Sequence, residues 1–289
     1  MNKTVKGFAA GILAAIMYGT NPLGTLPLYA DGINPSTVLF YRYGLALVMF
    51  AIWMVAAGET FRIKWGHAIK FATLGTFFAM SSFTLYLSFK YIAAGVASTI
   101  LFSYPIMTAV LMVMFFHERL TWTTTLAIAL AVGGICLLYR GDGGVTLDAT
   151  GVILVLVSSL TYAIYIVSVN QFNPGYSSVK FTFWMVAFGF IAVYVMSLLM
   201  GQPLQLLHGV REWGFATQLA LLPTVGSLFF MTIAIKDVGS TPSAIMGALE
   251  PVTAVVISCT LFQEAFTLRL AIGIVLILSA VILIILKKQ

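Results

Sequence analysis

The chain has 289 residues, 15 of them Lys or Arg and 9 Asp or Glu, for a formal net charge of +6. Hydrophobic residues make up 61% and charged residues 8%, against about 45–50% and about 25% in soluble domains. So few charges cannot cover a soluble surface and a disordered chain needs the opposite composition, which leaves a polytopic membrane protein.

The apolar segments are long runs rather than short alternating strands, so helices are expected and not a barrel. Stretches long enough to cross a bilayer, about 20 residues each, run over 5–28, 35–57, 66–90, 94–116, 121–139, 149–171, 177–200, 213–235, 240–262 and 267–286. Turn residues separate them, among them Asp31-Gly32, Asn34-Pro35, Gly58, Asn173-Pro174-Gly175 and Gly201. No stretch between spans is long enough for a separate folded domain.

The first span opens on Lys3 and Lys6 and resembles a signal peptide, but it lacks a small-residue cleavage site and continues past Asn21-Pro22. It reads as a retained span. Gly7-x-x-x-Gly11 within it is a helix-packing surface, and Pro22 frees the carbonyl of Tyr18. The second span carries Arg42 about 10 Å from its outer edge, flanked by Tyr41 and Tyr43. Arg42 is read either as an interface anchor, or as a partner for Glu250 or for a substrate carboxylate. The third span holds Ser81, Ser82 and Tyr86, and the fourth Tyr104-Pro105, where Pro105 frees the carbonyl of Leu101. Ser158, Tyr162 and Tyr165 follow in the sixth span, Trp184 in the seventh and Pro223 in the eighth. Single serines and tyrosines of this kind more often pack or bond helix to helix than touch a solute.

The ninth span carries Glu250-Pro251. Glu250 lies about 15 Å in, near the bilayer midplane, where a charge is costly. Its helical face bears the small residues Ser243, Gly247, Ala254 and Ser258, which suit a helix interface or a cavity, and Pro251 frees the carbonyl of Gly247. A carboxyl beside loosened backbone is a candidate binding or proton-coupling group. The cysteines, Cys136 and Cys259, have no near neighbour at metal-ligand spacing and read as small core residues.

The chain also resembles itself. A shift of 146 positions lays Tyr104-Pro105 over Glu250-Pro251, Lys90 over Lys236, Glu118 over Glu264 and Thr121 over Thr267. An offset of 144 lays Gly7 and Tyr18 over Gly151 and Tyr162. The halves are 1–140 and 147–289. Five spans each is an odd number, so the second half enters from the opposite side, and an inverted repeat with paired broken helices is a transporter architecture. The fold class expected is therefore all-α, with ten transmembrane helices in two inverted five-helix repeats around a central cavity. With the N-terminus inside, Lys3, Lys6, Arg62, Lys64, Lys70, Arg119, Lys180, Lys236, Lys287 and Lys288 fall in the cytoplasm. Only Lys90, Arg140, Arg211 and Arg269 fall outside. Both termini are expected in the cytoplasm.

No phosphate-binding G-x-x-x-x-G-K-[ST] loop, no H-E-x-x-H and no G-x-S-x-G is present, and His67, His117 and His208 are far apart. Neither ATP hydrolysis by that machinery nor a catalytic residue, metal or cofactor is expected, and the scattered basic residues do not suggest nucleic acid.

Two stretches, P-I-M-T-A-V-L-M-V-M-F-F-H-E-R-L-T over 105–121 and L-E-P-V-T-A-V-V-I-S-C-T-L-F-Q-E-A-F-T over 249–267, carry a likeness to a known family. With ten spans in two halves, they resemble the EamA family of the drug/metabolite transporter superfamily, whose signature is a mid-helix proline followed by a G-E-x-x-T-like turn in each half. Here the turn glycine is replaced both times, while Glu118, Thr121, Glu264 and Thr267 are kept. Arg42-Tyr43 resembles that family's R-F or R-Y pair, and the seventh span has no matching arginine. The resemblance covers essentially the whole chain. It implies a secondary transporter of the inner (plasma) membrane, commonly an exporter of amino acids or related metabolites. The partners expected are a small-molecule solute, protons as a candidate coupling ion, and the lipid bilayer, with monomer and homodimer both open.

The cavity residues expected are Arg42, Glu250, Tyr104, Tyr18, Tyr86, Tyr162 and Ser82, with Pro105, Pro251, Pro22 and Asn21 as helix breaks or gates. Two rivals remain: an exporter of lipophilic cations, which needs Glu250 and the aromatics but not Arg42, and a membrane enzyme or scaffold without transport activity.

Overall fold

In a computed structural model the described residues are 3–116, 122–139, 147–172, 174–238, 246–247 and 249–287. All the regular structure among them is helical. The helices are α1 (Lys3–Gly19), α2 (Asn21–Ala30), α3 (Pro35–Ala56), α4 (Trp65–Ser88), α5 (Ala94–Leu101), α6 (Tyr104–Phe116) and α7 (Trp122–Tyr139). After them come α8 (Ala149–Gln171), α9 (Ser178–Leu199), α10 (Val210–Ala220), α11 (Ser227–Val238), α12 (Leu249–Leu261) and α13 (Leu268–Lys287). A π-helical turn, Leu221–Gly226, joins α10 to α11.

Four helices, α3, α4, α8 and α9, and the continuous α10–α11 unit are each long and apolar enough to cross a membrane. The first and fourth crossings are instead built from two shorter pieces, α1 with α2 and α5 with α6, broken where Asn21-Pro22 and Tyr104-Pro105 stand. Among the other predicted boundaries, Asn34 caps α3 by accepting from Thr37 N at 2.8 Å, with Pro35 following. Asp148 caps α8 through the N–H groups of Thr150 and Gly151. Thr150 and those N–H groups hold its carboxyl below the usual carboxylate range. Thr267 caps α13 by accepting from Leu270 N at 3.1 Å. The glycines at two other breaks take the left-handed backbone a helix stop needs, φ 67° at Gly58 and 60° at Gly201.

In order of crossing, the first span packs on the eighth, the third on the sixth, the second on the seventh, the fourth on the ninth and the fifth on the tenth. The third also meets the seventh, and the second the eighth; the fourth meets the sixth, and the first the ninth. Advancing every number by five returns the same set, so the helices of the two halves interleave. Loop contacts obey the same alternation. Asn34 and Ser36 bond Gln205 and Gln202, Lys180 bonds Thr60, and Glu264 bonds Ala94. Each pair lies on one end of the bundle, as ten crossings require.

Close packing rather than water exclusion holds helices together in lipid. A Cβ added to Gly7 would sit 2.7 Å from Val238 of α11, which makes the Gly7-x-x-x-Gly11 face a packing surface. Large side chains such as Ile52 and Val55, more than half exposed, face outward. Cys136 departs from its expected burial and is exposed, whereas Cys259 is half-buried and packs against the core.

Candidate functional site

The break in the first crossing is where the site begins. Pro22 has no N–H to offer the Tyr18 carbonyl, and the Asn21 side chain takes that role, its Nδ2 donating to Tyr18 O at 2.7 Å. Asn21 Oδ1 is thereby turned toward α3 and α4. It accepts from Arg42 Nη1 at 3.0 Å and from Tyr86 Oη at 2.8 Å.

Arg42 does not reach the surface; it is 1% exposed. Besides Asn21, its Nη1 donates to Tyr86 Oη at 2.7 Å and its Nε to Thr224 Oγ1 at 2.8 Å. Its guanidinium carbon lies 5.4 Å from the Tyr86 ring centre. Three crossings besides its own therefore hold one guanidinium, which is the work of a planar fork and not of an interface anchor. Its Nη2 is buried without a hydrogen-bond partner. Thr224 reaches Arg42 because it sits in the π-helical turn, where its hydroxyl also donates to Leu219 O five residues back. Sequence reading passed over Thr224; the signal was the polar residue next to Pro223.

Glu250 stands across a small cavity. α12 begins at Leu249, so Glu250 sits in a first helical turn. Its N–H donates to Gly247 O at 2.9 Å, which satisfies the carbonyl that Pro251 frees. The positive end of α12 is thus next to the carboxyl. Glu250 is buried, at 7% exposed, and its carboxyl has no hydrogen-bond partner among the described residues. Nor does it pair with Arg42, since no Arg42–Glu250 ion pair within 4.0 Å exists. Of its predicted small-residue face, Gly247, Ala254 and Ser258 are buried and Ser243 lies outside the described residues.

The cavity beside Glu250 has about 20 Å³ and is lined by Tyr18, Asn21, Ser98, Phe102, Glu250 and Pro251, with Pro22 at its edge; of the expected cavity residues Arg42, Ser82, Tyr86, Tyr104 and Tyr162 stand outside this lining. That is room for about one water, so the site is contracted around its polar groups. Gly19 brings α1 this close: a Cβ there would lie 2.7 Å from the Glu250 carbonyl.

The fourth crossing supplies the opposite wall. The Leu101 carbonyl freed by Pro105 accepts from Ser159 of α8 at 3.0 Å, and Ser103 bonds the same Ser159 hydroxyl. Tyr104, in the first turn of α6, meets Tyr162 edge-on with ring centres 4.7 Å apart, and Tyr162 stacks on Tyr165 at 5.7 Å. Tyr18, Tyr104 and Tyr162 all lie within electrostatic reach of Glu250. Ser82 sits one step back and bonds Tyr43 at 2.9 Å. Ser81 and Ser158 bond each other between α4 and α8, the packing role expected of them. Trp184 packs among Phe183 and Phe188.

Glu264 has a role the sequence did not suggest. Its two carboxylate oxygens accept from Ala94 N at 2.9 Å and Gly95 N at 3.1 Å, capping α5 from the loop after α12. Its repeat partner Glu118 lies outside the described residues, as does Thr121, the partner of Thr267. Among the described residues no group of three His, Cys, Asp or Glu is placed to hold a metal.

Known proteins resemble this chain along nearly its whole length. An uncharacterized transporter of Archaeoglobus fulgidus is 27% identical over 265 residues, 89% of this chain and 90% of its own length. A second from that organism is 26% identical, over 96% and 95%. The uncharacterized transporter YvbV of Bacillus subtilis is 24% identical over 95% and 90%. A solved protein structure superposes with a TM-score of 0.69 over 98% of this chain and 97% of its own at 16% identity, a likeness of fold. The model of the EamA-like transporter family matches residues 5–140 and again 149–286. The chain therefore belongs to the EamA-like transporter family.

Proposed function

We propose that the chain exports small polar, amino-acid-like solutes across the inner (plasma) membrane by alternating access, with both termini in the cytoplasm. Residues 1–140 and 147–289 act as the two inverted repeats. One observation carries the reading: a buried carboxyl lines a cavity at the breaks of three helices and a buried arginine stands behind the cavity's Asn21, and among the described residues neither Arg42 Nη2 nor the Glu250 carboxyl has a hydrogen-bond partner. A zwitterion supplies what both lack, a carboxylate for Arg42 Nη2 and an ammonium for Glu250. Kept apart, the two charges do not cancel each other before a solute arrives. Tyr18 lines the cavity, and Tyr86, Tyr104, Tyr162 and Ser82 are the side chains it would meet on widening. Asn21-Pro22, Pro105 and Pro251 supply the loosened backbone at which the cavity opens.

Glu250 is also the natural proton carrier, because a solute ammonium and a proton compete for the same carboxyl. In proteoliposomes, Glu250→Gln should abolish flux driven by a pH gradient and leave solute binding measurable. Undiminished flux refutes proton coupling through Glu250.

The Phe102, Tyr104 and Tyr162 rings beside Glu250 also support a second reading, export of lipophilic cations. Competition separates the two. Amino acids displace a bound zwitterion and quaternary amines do not, and the reverse order selects the cation exporter.

A further inference from the structure

At the end of the bundle formed by the loops after α3 and α8, positive charge is gathered without an ion pair among the described residues. Lys180, in the first turn of α9, is buried, at 7% exposed, yet its Nζ has only the Thr60 hydroxyl at 3.2 Å and the Tyr176 ring at 4.8 Å. Lys70 Nζ lies 5.1 Å from the neighbouring Phe172 ring, and His67 Nδ1 is 2.9 Å from Tyr176 Oη. Phe172 and Tyr176 both pack on Phe71 and His67, so Lys70, His67 and Lys180 surround one aromatic wall. Lys64 N reaches the Tyr176 hydroxyl at 3.4 Å. Glu59 lies in the same loop, and no described carboxylate lies within ion-pair distance of Lys64, Lys70 or Lys180.

The helices worsen the imbalance. α4 and α9 pack together and both begin here, so their positive ends converge. Neither has an acid in its first turn, and Lys64 at the start of α4 gives no side-chain cap. The repeat-related surface at the other end shows the alternative. There Asp31 pairs with Arg211 at 3.5 Å, and Asn34, Ser36, Gln202 and Gln205 satisfy one another. At that end the described charge of Arg211 has its carboxylate partner; at this end Lys180 and Lys70 have none.

We propose that this basic surface, centred on Lys180 and Lys70, binds the phosphodiester headgroup of an anionic phospholipid. The flank selects a lipid over a free ion. Trp65 and Ile69, one turn apart at the start of α4, are exposed by 83% and 60% and offer an apolar track for acyl chains beside the cations. Basic pockets between membrane helices recognise such headgroups. The inference rests on the chain lying in a bilayer and is independent of what it transports.

The test titrates phosphatidylglycerol and phosphatidylcholine into the purified full-length protein in detergent, read by native mass spectrometry and thermal unfolding. Phosphatidylglycerol should stay bound and raise the unfolding temperature, whereas phosphatidylcholine should do neither. Lys180→Gln and Lys70→Gln should each weaken phosphatidylglycerol binding about fivefold, with unchanged unfolding in phosphatidylcholine. If Lys180→Gln fails to fold, the exposed Lys70→Gln carries the comparison. Equal response to the two lipids, or undiminished binding by the variants, overturns the proposal. So does inorganic phosphate reproducing the whole shift, which would make the site one for a free anion.

Discussion

Arg42 shows how one side chain organises the interior. Its burial is tolerable because Asn21, Tyr86 and Thr224 accept from it, and each comes from a different crossing. Arg42→Lys replaces the fork with a point charge that cannot reach all three, so transport should fall at least tenfold while the protein remains folded. Transport at the wild-type rate in proteoliposomes would show that the fork geometry is not needed. Tyr86→Phe removes one hydroxyl that both accepts from Arg42 and donates to Asn21. Its expected cost is about 1.5–3 kcal/mol, the range for hydrogen bonds to charged groups, measured by unfolding in a single detergent. Both residues were named from the sequence because a charge and a tyrosine inside apolar spans demand explanation. Thr224 was missed because an isolated threonine in a membrane helix ordinarily bonds its own backbone, as Thr224 also does.

At the scale of helices, each break is satisfied by a particular group: Asn21 at the first crossing, Ser159 at the fourth and the Glu250 N–H at the ninth. Proline spacing in the sequence located the breaks. It did not tell which side chain would fill them, because Ser159 is 58 residues from Leu101. The α5 cap is another case of this kind, since Glu264 lies 170 residues from Ala94. Glu264→Ala leaves both N–H groups uncapped at a cost of about 0.5–2 kcal/mol. Amide exchange at Ala94 and Gly95 should then quicken while exchange in α8 and α9 stays as it was. Unchanged exchange at those two amides would mean that the cap adds nothing to the start of α5.

At the scale of the whole molecule, the interleaved halves place the cavity where crossings one, four and nine meet. A solute that binds there must expand a space of about 20 Å³, drawing the broken helices apart. Binding should stabilise the folded state, by about 2.7 kcal/mol at a hundredfold excess over the dissociation constant. A thermal-stability screen of amino acids and quaternary amines on the wild type therefore reads out the solute. Glu250→Gln and Arg42→Lys should shrink the response to a true zwitterionic substrate, and a response unaltered in both variants would place its site elsewhere.

Composition and local pattern alone determined that this is a helical membrane protein, how many crossings it has, where its helices break and that Arg42 and Glu250 lie inside its spans. Those features depend on the cost of moving residues from water to lipid and on proline's missing N–H, both properties of short stretches of chain. Only the tertiary structure decided what those groups meet: Arg42 held by three other crossings, Glu250 unpaired at a helix start, Glu264 capping a helix of the other half, and Lys180 buried without an anion. These helices are apolar on nearly every face, so no amphipathic stripe announces which side turns inward. Rotation about each helix axis is set by packing against partners far away in sequence.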